Sequence, residues 1–301
     1  MADALPLRKE MTFEYGVPRE VAPGVRRIVA ENPSAFTFHG TNTYLVGSED
    51  VAVIDPGPDD EAHIQAIVEA GAGSITKILL THTHRDHCDG LAKLKAATAA
   101  KTLGFGTAPT PRGTTSSSPT NGEFVDHEFT PDLALRDSMK VVSNAWQLTA
   151  HHTPGHAPDH LCFTLEGTGI LFSGDHVMGW NTSVIAPPEG NMGDYLRSLE
   201  KLLKLDAEQY FPGHGGAVHR PQRVAKAFLV HRKMREATIL DCVKSGKSTV
   251  AEILEIVYRD VDDAVLRAAA LSVFAHLELL IERGLVRANG TPSLTSSFWS
   301  A

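Results

Sequence analysis

The sequence predicts an α/β fold followed by a small helical domain of winged-helix type. Three observations lead there. Short apolar runs rich in β-branched residues alternate with helical runs over the first two thirds of the chain. After Pro221 the composition turns mostly helical and stays so to about residue 284. Between these features, the stretch THTHRDHCDG at residues 81–90 sets three histidines and two aspartates directly behind the apolar run KILL, at a strand-to-helix turn.

Taken in order, TNTYLVG and VAVIDPG read as neighbouring strands bounded by Gly, Pro and Asp. In DDEAHIQAIVEAGAG, Ile64, Ile67 and Val68 fall at helical spacing, with Gly71 or Gly73 as the stop. KILLTH is a short buried strand and GLAKLKAATAA a helix. The Pro-, Ser- and Thr-rich segment 106–122 predicts a loop that could cover the site. Strands resume with MKVV, NAWQLTAHHTPGH, HLCFTLEG and GILFSGD, followed by the helix DYLRSLEKLLKL and the strand-turn QYFPGHGG.

The tail begins a second unit. The reading divides the chain into a catalytic domain over 1–219 and a helical, winged-helix domain over 220–301. Thr249 and Glu252 stand at capping-box spacing. Leu266, Ala270, Val273, Leu277 and Leu280 form one helical face that ends at Gly284. LVRANGTPSLT reads as a hairpin around Asn289 and Gly290.

The 301 residues suffice for one large domain and a small one, with ordinary globular composition. A net charge of -8 argues against a surface that coats nucleic acid or anionic membrane. Three cysteines without a CxxC pair suggest neither a disulfide framework nor a thiolate cluster. Arg8, Lys9 and Glu10 interrupt any signal-like apolar run, and no run spans a bilayer, so the expected location is cytoplasmic without a membrane partner.

In an extended segment, residues two apart share a face, so His82, His84 and Asp86 point together and His87 opens the next turn. Imidazole and carboxylate suit zinc and its neighbours. The differing phases allow two ions side by side. Cys88 reads as a small buried thiol, and His151 and His152 as strand residues without a direct role.

Five motifs then recur in order: IDPG with Asp55, THTHRDH, TPGH with His156, SGD with Asp175, and PGHG with His214. Over roughly residues 25–216 the chain resembles the metallo-β-lactamase-fold hydrolase superfamily. The resemblance implies a four-layered α/β/β/α sandwich holding two Zn2+, with Mn2+ or Fe2+ as alternatives. It puts His82, His84 and His156 on one ion, Asp86, His87 and His214 on the other, Asp175 between them, and Asp55 behind the ligands. Two ions about 3.5–4 Å apart would make a hydroxide from bridging water near neutral pH, which implies hydrolysis with Asp86 and Asp175 at the reacting centre. His176 is a proton-donor candidate.

Over nearly the whole chain, with the tail as the deciding feature, the sequence is similar to the group that includes the mitochondrial single-strand endoribonuclease and its bacterial relatives. The likeness is carried by GTNTYLVG, FSGDHVMGW, FPGHGG, HRKMREATIL and AAALSVFAHLELLIERGLV. It implies a phosphodiesterase on single-stranded RNA, with acyl-thioester hydrolysis of the glyoxalase-II kind, or lactone hydrolysis, as the alternative. A β-lactamase and a non-catalytic metal-binding module rank below both. Arg232, Lys233 and Arg235, in a basic stretch from Arg220 to Lys247, are candidate RNA contacts, and Asn42, with His39, a candidate at the site mouth. The winged helix equally suits a packing or homodimer role.

Overall fold

The computed structural model describes residues 5–106, 124–258 and 263–301. Apart from Gly106, the segment 106–122 read as a loop near the site lies outside them.

The first sheet takes its strands in chain order: β1 (Arg19–Ala22), β2 (Val25–Val29), β3 (Asn42–Val46), β4 (Val51–Ile54), β5 (Ile75–Leu79), β6 (Lys101–Gly104) and β7 (Leu133–Ala134). The pairs from β1 to β4 are antiparallel and those from β4 to β7 parallel. A parallel pair needs a crossover. Helix α1 (Glu61–Gly71) supplies it between β4 and β5, and α2 (Arg85–Cys88) with α3 (Leu91–Thr98) between β5 and β6.

The second sheet contains β8 (Lys140–Val142), β9 (Gln147–His152), β10 (Leu161–Leu165), β11 (Ile170–Gly174), β12 (Gln209–Pro212) and β13 (Val218–His219), in the spatial order β13-β12-β11-β10-β9-β8. Helix α4 (Met192–Leu202) crosses between the parallel strands β11 and β12. The tail holds α5 (Pro221–Lys244), α6 (Val250–Val257), α7 (Asp263–Glu282) and the pair β14 (Val286–Ala288) and β15 (Phe298–Ser300).

Three apolar clusters make the four layers. Val46, Ile54, Leu79, Leu148, Phe163, Phe172 and Phe211 fill the space between the sheets. Ile28, Leu45, Val53 and Ile78, on the opposite face of the first sheet, meet Ile64 and Ile67 of α1 and Leu94 of α3. Leu171 and Tyr210 of the second sheet meet Tyr195 and Leu199 of α4 and Phe228 of α5. Strands β3 and β4 are buried along their whole length, which is why they read as near-continuous apolar runs.

Helix α5 starts at Pro221, a residue suited to a first helical position. Its first half belongs to the layer over the second sheet; Ile239, Cys242 and Val243 farther along pack with α6, α7 and β14–β15. The capping box of α6 forms: Thr249 Oγ1 accepts from Glu252 N at 3.2 Å, and Glu252 Oε2 accepts from Thr249 N at 3.1 Å. Two expectations about the tail need correction. Leu266 is exposed, so the buried face of α7 is carried by Val273, Leu277 and Leu280. The last two strands do pair, but their connection runs from Asn289 to Ser297, closed by Asn289 Oδ1 accepting from Ser297 N, and Asn289-Gly290 is not a tight turn. Among the described residues, no helix is long and apolar enough to cross a membrane.

Candidate metal centre

Strands β4, β5, β9, β11 and β12 all deliver a motif at their carboxyl ends: Asp55, His82–His87, His156, Asp175 and His214. In open α/β sheets that edge is where ligands bind, because the chain leaves the ladder there and its loops are free to converge. Three groups of donor atoms arise, each within 4.8 Å: His82, His84 and His156; His82, His87 and Asp175; Asp86, His87 and His214. All seven side chains predicted as ligands from the sequence therefore meet at one place.

The histidines are presented in fixed directions. His156 Nδ1 donates to the Val184 carbonyl at 2.7 Å, and His214 Nδ1 to the Gly40 carbonyl at 3.2 Å. His87 Nδ1 faces Asp55 Oδ2 at 3.0 Å. Each of these bonds leaves Nε2 turned inward with its lone pair free, the way a metal-bound imidazole is held. His84 is the exception, presenting Nδ1, which lies 2.9 Å from both His82 Nε2 and His156 Nε2. Three ring nitrogens that close, with outer nitrogens already engaged on His82 and His156, cannot all be satisfied by one another; a cation among them would satisfy all three.

The second half of the centre is carboxylate-rich. Asp86 Oδ2 is 3.1 Å from His214 Nε2 and 3.4 Å from His87 Nε2. Asp175 Oδ2 lies 3.6 Å from His156 Nε2 and 3.4 Å from His214 Nε2, and its Oδ1 3.6 Å from His87 Nε2. Asp175 thus reaches both halves, and its buried Oδ1 has no hydrogen-bond partner. A buried oxyanion set among several imidazole ring nitrogens is a donor set that suits a divalent cation.

The electrostatics divide along the same line. Burial lowers the pKa of His82 and His156, and takes His84 to about 3, so these three are neutral donors. Burial also opposes charge on His87 and His214, but Asp86 and Asp175 outweigh it: His87 is raised well above its ordinary value and His214 to about 9. Half-buried Asp86 and buried Asp175 are held below the ordinary carboxylate range by these histidines, against the opposing effect of burial.

Behind the donors, Asp55 accepts from Thr81 N at 2.7 Å and Thr81 Oγ1 at 2.8 Å, besides facing His87. It therefore fixes the start of the histidine-rich turn, from a left-handed backbone at φ 54. Two glycines keep the centre open. A Cβ at Gly213 would stand 2.5 Å from Asp175 Oδ1 and 2.6 Å from His87 Cε1, and one at Gly174 would stand 2.6 Å from His160 Nε2. His160 was missed in the sequence: its Nε2 accepts from Asp175 N at 3.2 Å while Nδ1 meets Thr153 Oγ1 at 2.9 Å. Its place four residues after His156 was the available signal.

Several expectations are corrected. Asn42 is fully buried and lines no mouth; its Nδ2 donates to the Pro212 and Gly215 carbonyls at 2.9 and 2.8 Å, tying β3 to the loop that carries His214. His176 is fully buried against Tyr195, and burial lowers it to about 3, so it is no imidazolium donor. Arg232 is 2% exposed, bonded to the Ser183 carbonyl and Ser272 Oγ, and cannot reach a polyanion. Arg235 bonds the Val257 carbonyl and lies 4.3 Å from the Tyr258 ring centre, which leaves Lys233 the exposed member of the three. Cys88 is buried, and His151 and His152 lie in β9 as expected.

Comparison with known proteins agrees with this geometry. The profile of the Metallo-beta-lactamase superfamily matches residues 36–214, and that of the Beta-lactamase associated winged helix domain residues 249–295. A Beta-lactamase-like protein 2 homolog of Drosophila melanogaster is 31% identical over 87% of this chain and 89% of its own length. An atrochrysone carboxyl ACP thioesterase of Cryptosporiopsis is 27% identical, over 89% of this chain and 82% of its own. Among solved structures, a beta-lactamase domain protein from Burkholderia ambifaria superposes with a TM-score of 0.79 at 21% identity, covering 100% of this chain and 98% of the other.

Proposed function

The chain belongs to the metallo-beta-lactamase superfamily, and from that premise we propose that it is a two-metal hydrolase that cleaves acyl thioesters. The observation that carries the two-metal part is Asp175, whose two oxygens face both halves of the donor set and whose Oδ1 is otherwise unpartnered. Five imidazoles and two carboxylates suit zinc. His82, His84 and His156 would hold one ion, Asp86, His87 and His214 the other, with Asp175 shared. Bound there, the ions would acidify a water molecule and polarise a carbonyl oxygen.

The protein's own groups do the rest. Asp55 sets the direction of His87 and of the backbone at Thr81. Asp86, the more exposed of the two central carboxylates, borders the open side of the centre and would accept a hydrogen bond from the attacking water and so orient it. With His176 buried and uncharged, it offers no acid to a leaving group. A thioester tolerates that: a thiol of pKa about 8.5 departs without prior protonation, unlike an amine. The thioesterase among the relatives supports the same class, and the internal engagement of Arg232 and Arg235 removes much of the support for an RNA track.

The test is a parallel assay of the zinc-loaded protein on a short acyl thioester, a lactone and single-stranded RNA. Thioester turnover should dominate and fall by orders of magnitude in Asp175→Asn. Cleavage of RNA without thioester turnover would overturn the substrate assignment and leave the two-metal centre standing.

A further inference from the structure

A second cavity, of about 340 Å³, lies away from the metal centre. The first sheet ends at β1 and the second at β13, and both edge strands line the cavity. Arg19, Glu20 and Val21 of β1, Arg27 of β2, Gln209 and Phe211 of β12 and His219 of β13 line the opening. The N-terminal segment from Arg8 to Thr12 crosses it, anchored where Arg8 N donates to the Gly179 carbonyl at 2.7 Å.

Its chemistry is uneven. Val21, Tyr44, Phe211 and Ala217 give an apolar, aromatic floor, and Arg8, Arg19 and Arg27 give three guanidinium groups, with Glu10 and Glu20 at the exposed rim. Arg27 is 6% exposed; one Nη2 contact reaches the Thr12 carbonyl at 2.9 Å, and its buried Nε has no partner. Among the described residues, no hydrogen bond or ion pair engages the side chains of Arg8 and Arg19. Burial lowers the pKa of Arg27; Tyr44 works against that effect and the charge of Arg19 with it. A buried guanidinium without a carboxylate, beside another cation, is a costly arrangement in a folded protein unless an anion completes it.

We infer that this cavity is a binding site for a small organic anion, a carboxylate or phosphate on an aryl or alkyl body, held by Arg8, Arg19 and Arg27 over the Tyr44–Phe211 floor. The volume falls at the low end of about 300–1,000 Å³ typical of small-molecule sites, and planar guanidinium forks match carboxylate and phosphate oxygens in pairs. The floor also touches the metal centre's support. Tyr44 Oη donates to the Pro212 carbonyl at 2.8 Å, and Gly216 and Ala217, which follow His214, line the cavity. An occupant would therefore bear on the loop that presents His214.

The site does not depend on the thioester assignment, and its test can fail separately. The zinc-loaded full chain would be titrated with phenyl phosphate, benzoate and, as a neutral control, benzyl alcohol, while the Arg27 Nε and Ala217 amide resonances are followed by NMR. The two anions should shift both signals saturably and benzyl alcohol should not. Arg8→Gln with Arg19→Gln, both exposed and safe for folding, should weaken binding by about tenfold or more, with thioester turnover in the absence of probe unchanged. Shifts that survive the double variant intact, shifts equally produced by benzyl alcohol, or shifts confined to the metal-ligand histidines would each overturn the assignment.

Discussion

Arg232→Ala isolates what the basic stretch of α5 does. The guanidinium joins three elements: it donates to the Ser183 carbonyl, to Ser272 Oγ of α7 at 3.2 Å, and lies 5.6 Å from the Tyr195 ring centre of α4. Hydrogen bonds from a charged donor contribute about 1.5–3 kcal/mol each, and the Ser183 carbonyl would lose this donor. The expected loss is therefore about 3–5 kcal/mol, in the range for breaking a buried charged network. The effect should also reach the metals, since the Val184 carbonyl next along the chain holds His156 Nδ1 at 2.7 Å. Urea unfolding and zinc content, measured side by side on Arg232→Ala and Lys233→Ala, give the readout. The lysine is exposed and 3.8 Å from Glu200, so its variant should stay within about 0.5 kcal/mol of the parent. If Arg232→Ala kept parental stability and zinc while losing RNA binding alone, the side chain would have to face a polyanion, and the packing argument would fail.

Three further outcomes are expected. Gly213→Ala should keep its secondary structure by circular dichroism yet lose zinc affinity, because the added methyl would lie 2.5 Å from Asp175 Oδ1; parental zinc content would contradict this. His84→Ala and His214→Ala should each reduce bound zinc from two equivalents toward one by elemental analysis, since they belong to different donor groups; an unchanged value in either would break the ligand assignment. Burial and then Glu282 raise Glu278 to about 7, above its ordinary value. The folded chain thus holds a proton that the unfolded chain has lost between pH about 4.5 and 7, so stability falls as pH rises through that window. Glu278→Gln should remove this slope and stabilise the protein at pH 8 by about 1–3 kcal/mol, and an equal change of unfolding free energy between pH 5 and pH 8 in parent and variant, measured by urea unfolding, would refute it.

Spacing within one stretch marked four of the ligands, whereas His156, Asp175 and His214 were reached only through the resemblance, on short motifs at strand ends. His82, His84, Asp86 and His87 needed only their own stretch of chain. The supports were not legible in the same way. The carbonyls of Gly40 and Val184, which fix His214 and His156, belong to loops whose paths depend on tertiary contacts. Arg232 was misread for a related reason: HRKMRE looks like a solvated helix face until Ser183 and Ser272 are brought against it. Leu266 fits the apolar period of α7 but lies beyond the reach of the neighbouring helices, so periodicity overstated the buried face. Of the strands, β1, β2, β6, β7 and β13 escaped notice: Arg19 and Glu20, Arg26 and Arg27, and Lys101 break the apolar pattern of the first three, and the last two are only two residues long.

His214 is the last of the donors in chain order, and the groups that hold it lie far earlier, in Gly40, Asn42 and Tyr44. On the ribosome, where chains emerge from the N-terminus, the cluster at His82–His87 is exposed long before residue 214 is made. A nascent chain could trap a metal ion there only with an incomplete donor set, and weakly. Full loading must wait until β12 has been threaded beside β11 and its loop stitched to β3. Metal acquisition is thereby a readout of completed folding, and a chain truncated before Pro212 should leave the ribosome unable to retain two ions.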